Sequence, residues 1–257
     1  MPDLRLRLEH DEQERVAFQP LLDEDAALRM LGAADFTAAK LVPWGSNYTF
    51  AVALSGEEDV DHLGIYKPQA GERPLWDFPT GTLFRREYAS YRLSRWLGWD
   101  LVPPTVIRDG PHGVGSLQLY VEPRDNEVNQ ASFWGRRTLP IERIVMFDHL
   151  ANNADRKAGH CVVDVHDRIW GIDHGLTFNA DPKLKTVLWQ FSGEPIDMSI
   201  LADAARLISD DAGIIGELAD ILDRSEIAAM RRRVSHLLDA GRYPVLDPHF
   251  NVPYGWW

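Results

Sequence analysis

HLANNADRKAGH, residues 149–160, is a polar stretch set between two apolar segments. The segment before it, Leu139 to Asn152, has the composition of a buried helix, and the one after it, Cys161 to Val165, that of a buried strand. A carboxylate, Asp155, and an imidazole, His160, therefore lie on a short loop held at both ends by rigid elements. The alternative is a turn in which asparagine and aspartate side chains only bond the local backbone.

A second carboxylate follows a short distance along the chain. Asp173 leaves an apolar strand in GIDHGL, residues 171–176, and it lies one predicted hairpin after Asp155. The hairpin, with strands Cys161 to Val165 and Ile169 to Ile172, would bring both carboxylates to one site. Phosphoryl transfer requires a carboxylate that orients the attacking hydroxyl and ligands that hold a divalent metal against the phosphates. The pattern is consistent with that chemistry.

A lysine in the N-terminal half has a complementary position. Lys67 ends the apolar strand in GIYKP, residues 64–68, where the following proline stops further pairing. Such a lysine can reach nucleotide phosphates if a carboxylate from the next helix holds it, and Glu87 in FRREYASYRL is the candidate. The alternative is a lysine that protects the edge of a sheet from aggregation.

A turn with small polar residues precedes that lysine. The segment WGSNY, residues 44–48, lies between two predicted strands. The backbone N–H groups of Gly45, Ser46 and Asn47 could contact phosphate oxygens, as those of other small-residue turns do. An ordinary hairpin turn is the competing interpretation.

The order of predicted elements indicates an α+β fold with two lobes. A mostly β half is predicted at residues 1–122 and a mostly helical half at 123–257. The last helix, Ser225 to Ala240, has Ser225 as its expected N-cap. Trp76 and Trp134 lie in loop-like stretches and are expected at the surface.

The composition narrows the function classes. The net charge of −12 disfavours nucleic acids and stable association with anionic membranes. One cysteine excludes an internal disulfide and is typical of a reducing compartment, so we predict a cytoplasmic protein.

Three of these motifs together resemble a known family. NADRKAGH, GIDHGLTF and GIYKP are similar to segments of phosphatidylinositol 3-/4-kinase-like proteins, nearest to type II phosphatidylinositol 4-kinases and HipA-like kinases, in an actinobacterial branch. The resemblance spans roughly residues 40 to 180. It implies a bilobal atypical protein-kinase-like fold. It also implies that Lys67 contacts the ATP phosphates, that Asp155 is the catalytic aspartate and that Asp173 binds magnesium.

The resemblance also implies an adenine site, but this sequence differs from the family at one position that binds metal. It implies that Gln118, Tyr120 and Val121 form the segment that pairs with adenine. At the position of His160 the family usually has asparagine. Because imidazole suits transition metals better than magnesium, Mn²⁺ becomes an alternative to Mg²⁺.

The function predicted from these residues is an ATP- and metal-dependent kinase. Its acceptor would be a hydroxyl of a protein or of a small molecule. A lipid acceptor is disfavoured because the sequence contains no basic amphipathic anchor. Two alternatives remain open, a nucleotide-binding pseudokinase with a regulatory role and an enzyme that transfers AMP from the same fold.

Overall fold

The computed structural model describes residues 22–43, 45–55, 61–124, 131–210 and 213–255. Trp44 of the predicted phosphate-binding turn lies outside these ranges. The chain divides into two compact units, which are described separately. The first contains Met1–Tyr88 and Pro103–Pro123, and the second contains Ala89–Val102 and Arg124–Trp257. The sequence-based division at residue 122 had assigned residues 89–102 to the first lobe.

The first unit is built on a five-stranded antiparallel sheet. Its elements are α1 (Glu24–Ala33), β1 (Phe36–Leu41), β2 (Phe50–Leu54), β3 (His62–Pro68), the beginning of α2 (Leu83–Leu97), β4 (Thr105–Gly110) and β5 (Gly113–Leu119). The strand order is β1-β2-β3-β5-β4. The predicted strand that ends near Lys67 and the two predicted strands on either side of residues 44–48 are therefore present.

One apolar cluster holds this sheet and helix α1 together. Leu31 of α1 packs with Val52 and Leu54 of β2, Tyr66 of β3 and Leu117 of β5, and all five side chains are fully buried. Val52 and Leu54 are two residues apart on β2, so they share one face of the strand. Burial of such side chains stabilises the unit by roughly 1.5–3 kcal/mol each.

Gly115 fixes the position of the strand that carries Lys67. A Cβ atom at position 115 would lie 2.5 Å from the carbonyl oxygen of Lys67 and 2.7 Å from the Cα atom of Pro68. Both contacts are with backbone, which cannot move aside without breaking the pairing of β3 with β5. Only glycine allows this approach.

The second unit is mainly helical. It contains the rest of α2 from Ala89, then α3 (Ala131–Trp134), α4 (Leu139–Ala151), β6 (Cys161–Val163), β7 (Ile169–Gly171), α5 (Met198–Ser209), α6 (Ile214–Ala219) and α7 (Arg224–Ala240). Helix α4 is buried along most of its length, and α7 packs against α4, α5 and α6. The last residues of α4 are the first residues of the polar stretch at 149–160.

Strands β6 and β7 form a small hairpin that positions Asp173. Asp164 closes its turn by accepting hydrogen bonds from the N–H groups of His166 and Arg168, each at 2.8 Å. The indole of Trp170 donates to the same carboxylate at 2.7 Å. The backbone N–H of Gly171 donates to the carbonyl of Leu101 at 2.7 Å, which ties β7 to the segment after α2.

Two local predictions are wrong. Helix α7 begins one residue earlier than expected, and its N-cap is Asp223, which forms a capping box with Glu226; Ser225 lies inside the helix. The capping box satisfies two backbone donors at once, so it prevails over a single serine cap. Trp134 is 2% exposed because the stretch around it forms α3, whereas Trp76 is 92% exposed as expected.

The predicted α+β class is confirmed. Within the described residues, we find no helix with the length and apolarity needed to cross a membrane.

Buried His149 makes the stability of this unit dependent on pH. It lies in α4 with its ring 5.2 Å from that of Tyr243, and burial lowers its pKa to about 4. In the unfolded chain the histidine pKa is about 6.5, so the unfolded state binds a proton first as the pH falls. Stability is therefore full above pH ~6.5 and is lost between about 6.5 and 4, by up to roughly 3 kcal/mol. We expect His149→Gln to flatten this part of the stability profile, as measured by urea unfolding at pH 7.5 and pH 5.

His236, which is exposed on α7, supplies the matched control. His236→Gln should keep the pH dependence of the wild-type protein. Equal slopes for all three proteins would show that His149 is not the group responsible.

Candidate functional site

The first unit contains the predicted ion pair. The ammonium group of Lys67, at the end of β3, donates to the carboxylate of Glu87 in α2. Glu87 is almost completely buried, with 3% of its side chain exposed, whereas 23% of the Lys67 side chain is exposed. A buried carboxylate thus holds a lysine whose side chain is partly exposed, and the role of Lys67 in binding phosphate remains a prediction.

The turn before β2 is held by a hydrogen bond to the segment after β3. Gly45 has a φ of +111°, which favours glycine. The side-chain oxygen of Asn47 accepts from the N–H of Arg73 at 2.8 Å, so its amide is engaged in holding the segment after β3. Gly45 and Ser46 are exposed. Their role in binding phosphate remains a prediction.

The residues expected to pair with adenine lie at the end of β5. Gln118 is buried, and its side-chain amide donates to the hydroxyl of Thr105 at 2.9 Å. The N–H of Tyr120 donates to the carbonyl of Leu63 at 3.0 Å. Val121 follows this bond along the chain. The adenine assignment stays a prediction.

In the second unit, Asp155 is held beside a lysine. Its carboxylate is 20% exposed and forms a 2.9 Å ion pair with Lys157. Its backbone N–H donates to the side chain of Asn153 at 3.0 Å. Burial raises the pKa of Asp155, and the hydrogen bond from Lys157 opposes this rise. A raised pKa makes a carboxylate a better proton acceptor for a hydroxyl.

His160 and Asp173 meet in a specific orientation. The Nδ1 atom of His160 lies 2.9 Å from the carbonyl oxygen of Asp155. A carbonyl oxygen only accepts, so Nδ1 must carry a proton. The other ring nitrogen, Nε2, lies 3.3 Å from the carboxylate of Asp173. Asp173 has a φ of +60°, an unusual backbone conformation for a residue with a side chain.

This orientation fits a divalent cation. Burial lowers the pKa of His160, although the nearby Asp173 works against this shift. A neutral His160 protonated at Nδ1 turns the lone pair of Nε2 toward a carboxylate, and two acceptors that face each other repel unless a cation lies between them. Within the described ranges no group of three or more His, Cys, Asp or Glu residues could hold a metal. A metal at this pair would therefore share its coordination with phosphate oxygens and water, as magnesium in nucleotide sites does.

Arg156 is the residue that organises this site, and sequence reasoning missed it. It is fully buried and forms a bidentate ion pair with Asp148 of α4, with bonds of 2.8 and 2.9 Å. Its remaining donors reach the carbonyls of His160 and Ile172, at 2.9 and 3.1 Å, and the Nε2 atom of His174 at 2.8 Å. Burial alone would lower the pKa of Arg156, but its ion pair with Asp148 raises it.

Two asparagines complete the support. Asn152 ends α4 in the left-handed conformation, and its side chain bonds the backbone of Asn179, Asp181 and Lys183. The side chain of Asn153 donates to Asp148 at 2.9 Å. The predicted alternative, in which these side chains bond backbone, is thus partly correct, but the bonds reach a distant segment as well as the local one.

The sequence did contain a signal for this network. Asp148 is a carboxylate in the middle of an apolar helical run, MFDHLA, where a charged residue must find a partner. Arg156 itself gives no such signal, because arginine is mostly exposed in proteins. Within the second unit the structure brings together Asp155, His160 and Asp173, and within the first unit Lys67 and Glu87.

The fold is that of the atypical kinase-like proteins. The structure of hydra Fam20 with sugar superposes with a TM-score of 0.60 at 16% identity, over 91% of this chain and 93% of that one. The Golgi casein kinase with Mn/ADP bound gives a TM-score of 0.56 at 17% identity, over 84% of this chain and 75% of that one. These likenesses establish the kinase-like fold. Membership of the phosphatidylinositol 3-/4-kinase-like family remains a prediction.

The chain belongs to the family of Protein Rv2133c from Mycobacterium tuberculosis (strain ATCC 25618 / H37Rv). The two sequences are 39% identical over 225 residues, which cover 74% of this chain and 81% of the relative. No protein-family model matches the chain.

We expect the removal of one partner of the Asp148–Arg156 pair to destabilise the second unit strongly. Asp148→Asn leaves a fully buried guanidinium without its counter-charge, and breaking a buried pair in this way costs about 3–5 kcal/mol. Urea unfolding at neutral pH measures this loss.

The exposed pair of Arg137 and Glu194 provides the control. Glu194→Gln removes an ion pair whose side chains are 57% and 40% exposed, so it should cost less than about 1 kcal/mol. Similar losses for the two variants would contradict the central role of Arg156.

Proposed function

We propose that the protein is an ATP- and divalent-metal-dependent phosphotransferase that phosphorylates a hydroxyl group. The observation that carries the proposal is the meeting of Asp155, His160 and Asp173 in the second unit. The Lys67–Glu87 pair in the first unit supports it independently. The likeness to a Golgi casein kinase solved with Mn/ADP supports the use of a nucleotide and a divalent metal.

Each residue has a separate role in this proposal. Lys67 would contact the phosphates of ATP, held in place by Glu87. Gly45, Ser46 and Asn47 would offer backbone N–H groups to the phosphates, and Gln118, Tyr120 and Val121 would form the adenine segment. Asp173 and His160 would hold the metal, Mg²⁺ or Mn²⁺, which when bound offsets the negative charge of the phosphate oxygens.

Asp155 would act on the acceptor. Its carboxylate accepts the proton of the acceptor hydroxyl, whose oxygen forms a bond to the γ-phosphorus of ATP. The bond between that phosphorus and the β–γ bridging oxygen breaks, and ADP leaves with its electron pair. Burial raises the pKa of Asp155 in the direction that this proton transfer requires.

The acceptor is proposed to be a protein or small-molecule hydroxyl. The predicted absence of stable membrane association and the cytoplasmic location rest on charge and cysteine content. Incubation with ATP labelled on the α- or the γ-phosphate separates the proposal from its rivals. Transfer of γ-label supports a kinase, transfer of α-label supports AMP transfer, and binding without transfer supports a pseudokinase.

ATP with Mg²⁺ or Mn²⁺ should stabilise the folded protein. A ligand at 100 times its dissociation constant adds about 2.7 kcal/mol, which a melting curve detects. Lys67→Met should reduce this shift because it removes the phosphate contact. Lys40→Met, which removes the same charge from exposed strand β1, should retain it. If no adenine or guanine nucleotide shifts the melting temperature with either metal, the proposed function is wrong.

The two aspartates should fail in different ways. Asp173→Asn should weaken metal-dependent nucleotide binding and abolish transfer. Asp155→Asn should spare nucleotide binding and lower turnover by about 10²- to 10⁴-fold, the usual cost of losing an acid–base group. Calorimetric titration with ATP and metal, together with release of ADP, measures both effects.

Asp239→Asn, a change at an exposed position of α7, should leave both quantities unchanged. Unaltered binding and turnover in Asp155→Asn and Asp173→Asn would place the working site elsewhere.

A further inference from the structure

Lysine is scarce in this chain, and its distribution is uneven. Of the 27 basic residues five are lysine, and the other 22 are arginine. One lysine is Lys40 on β1, one is Lys67, and the other three are Lys157, Lys183 and Lys185. The ammonium group of lysine is a compact charge with three rotatable donors, which suits a phosphate or carboxylate on a mobile ligand.

The segment with Lys183 and Lys185 runs beside the segment with Asp155. The N–H of Lys185 donates to the carbonyl of Asn153 at 2.9 Å, and its carbonyl accepts from the N–H of Arg156 at 3.0 Å. Arg156 and Thr186 form a parallel bridge. The two segments are therefore paired as neighbouring strands are, about 5 Å apart.

This pairing determines which side chains share a face. Arg156 and Thr186 are 0% and 3% exposed. Side chains alternate between the two faces of a paired segment, so Asp155 and Lys185 project together from the opposite face. Both are half-buried. Lys185 is thus the neighbour of the carboxylate that the proposed mechanism assigns to the acceptor hydroxyl.

The segment that contains Lys185 has more basic than acidic residues. Between residues 174 and 193 the only acidic residue is Asp181, whereas Lys183 and Lys185 are basic. The carboxylate of Asp155 is already paired with Lys157. A positive segment beside the reacting carboxylate of a chain with net charge −12 attracts an anionic ligand to that place.

We propose that Lys185, assisted by Lys183, binds a phosphate or carboxylate group of the acceptor, and that the acceptor is a small hydroxylated molecule that already carries such a group. The inference rests on the proposed function, because it names the class of acceptor at the same site. A small molecule is favoured over a peptide or lipid because Lys185 and Asp155 are adjacent. The anionic group and the reacting hydroxyl must then be separated by a few bonds.

Glycerol 3-phosphate and glycerol are suitable probes, since they share their hydroxyl groups and differ in the phosphate. Calorimetric titration should show that the wild-type protein binds glycerol 3-phosphate and not glycerol, with and without saturating ADP and Mn²⁺. Lys185→Met should weaken this binding by about tenfold or more, the order expected when a charge-assisted contact to an oxyanion is lost. Lys40→Met is the control of equal charge change, and it should bind as the wild type does.

Several results would overturn the inference. One is that the wild-type protein does not bind glycerol 3-phosphate. Another is that Lys185→Met and Lys40→Met bind glycerol 3-phosphate equally well. A third is that the protein binds phosphatidic acid vesicles and not the soluble glycerol 3-phosphate. A loss of the ATP-induced melting shift in Lys185→Met would assign this lysine to the nucleotide instead. Failure of the proposed function is distinguishable, because it appears in the wild-type protein as the absence of any nucleotide-induced shift.

Discussion

The buried ion pair between Arg156 and Asp148 is the constraint on which the candidate site depends. The bonds described for the guanidinium end on three parts of the second unit: Asp148 of helix α4, the carbonyl of His160, and Ile172 and His174 on either side of Asp173. A planar group with five donors in fixed directions can set the spacing of three chain segments at once. Desolvation of both charges opposes the pair, so such an arrangement contributes position more than stability.

Burial also accounts for the electrostatics of the site. Asp155 and His160 are both shifted toward their neutral forms because water is partly excluded from them. Asp173, with half of its side chain exposed, keeps access to solvent. In the proposed function these groups have different tasks: Asp155 accepts a proton, and His160 and Asp173 hold the metal. Their different environments suit this division.

Much of the fold could be predicted from the sequence because its elements are strongly patterned. The apolar strands and the helix at 139–151 follow from periodicity, and the ion pair of Lys67 with Glu87 follows from a lysine at a strand end before a helix with a carboxylate. The role of Arg156 could not be predicted, since nothing local distinguishes a buried arginine from a solvated one. The cap of α7 was missed because Asp223 and Ser225 are both good caps, and only the reciprocal bond of Glu226 selects the first.

The backbone conformation of Asp173 is energetically unfavourable, and the rest of the fold must offset this strain. Its left-handed backbone is disfavoured for any residue with a side chain, by about 1 kcal/mol, although aspartate tolerates it better than most. A glycine would adopt the same φ without this strain but would lack the carboxylate. Under the proposed function, position 173 is therefore a place where selection for thermal robustness and selection for activity oppose each other. Stabilised descendants of this protein that have lost their function would be expected to change here early.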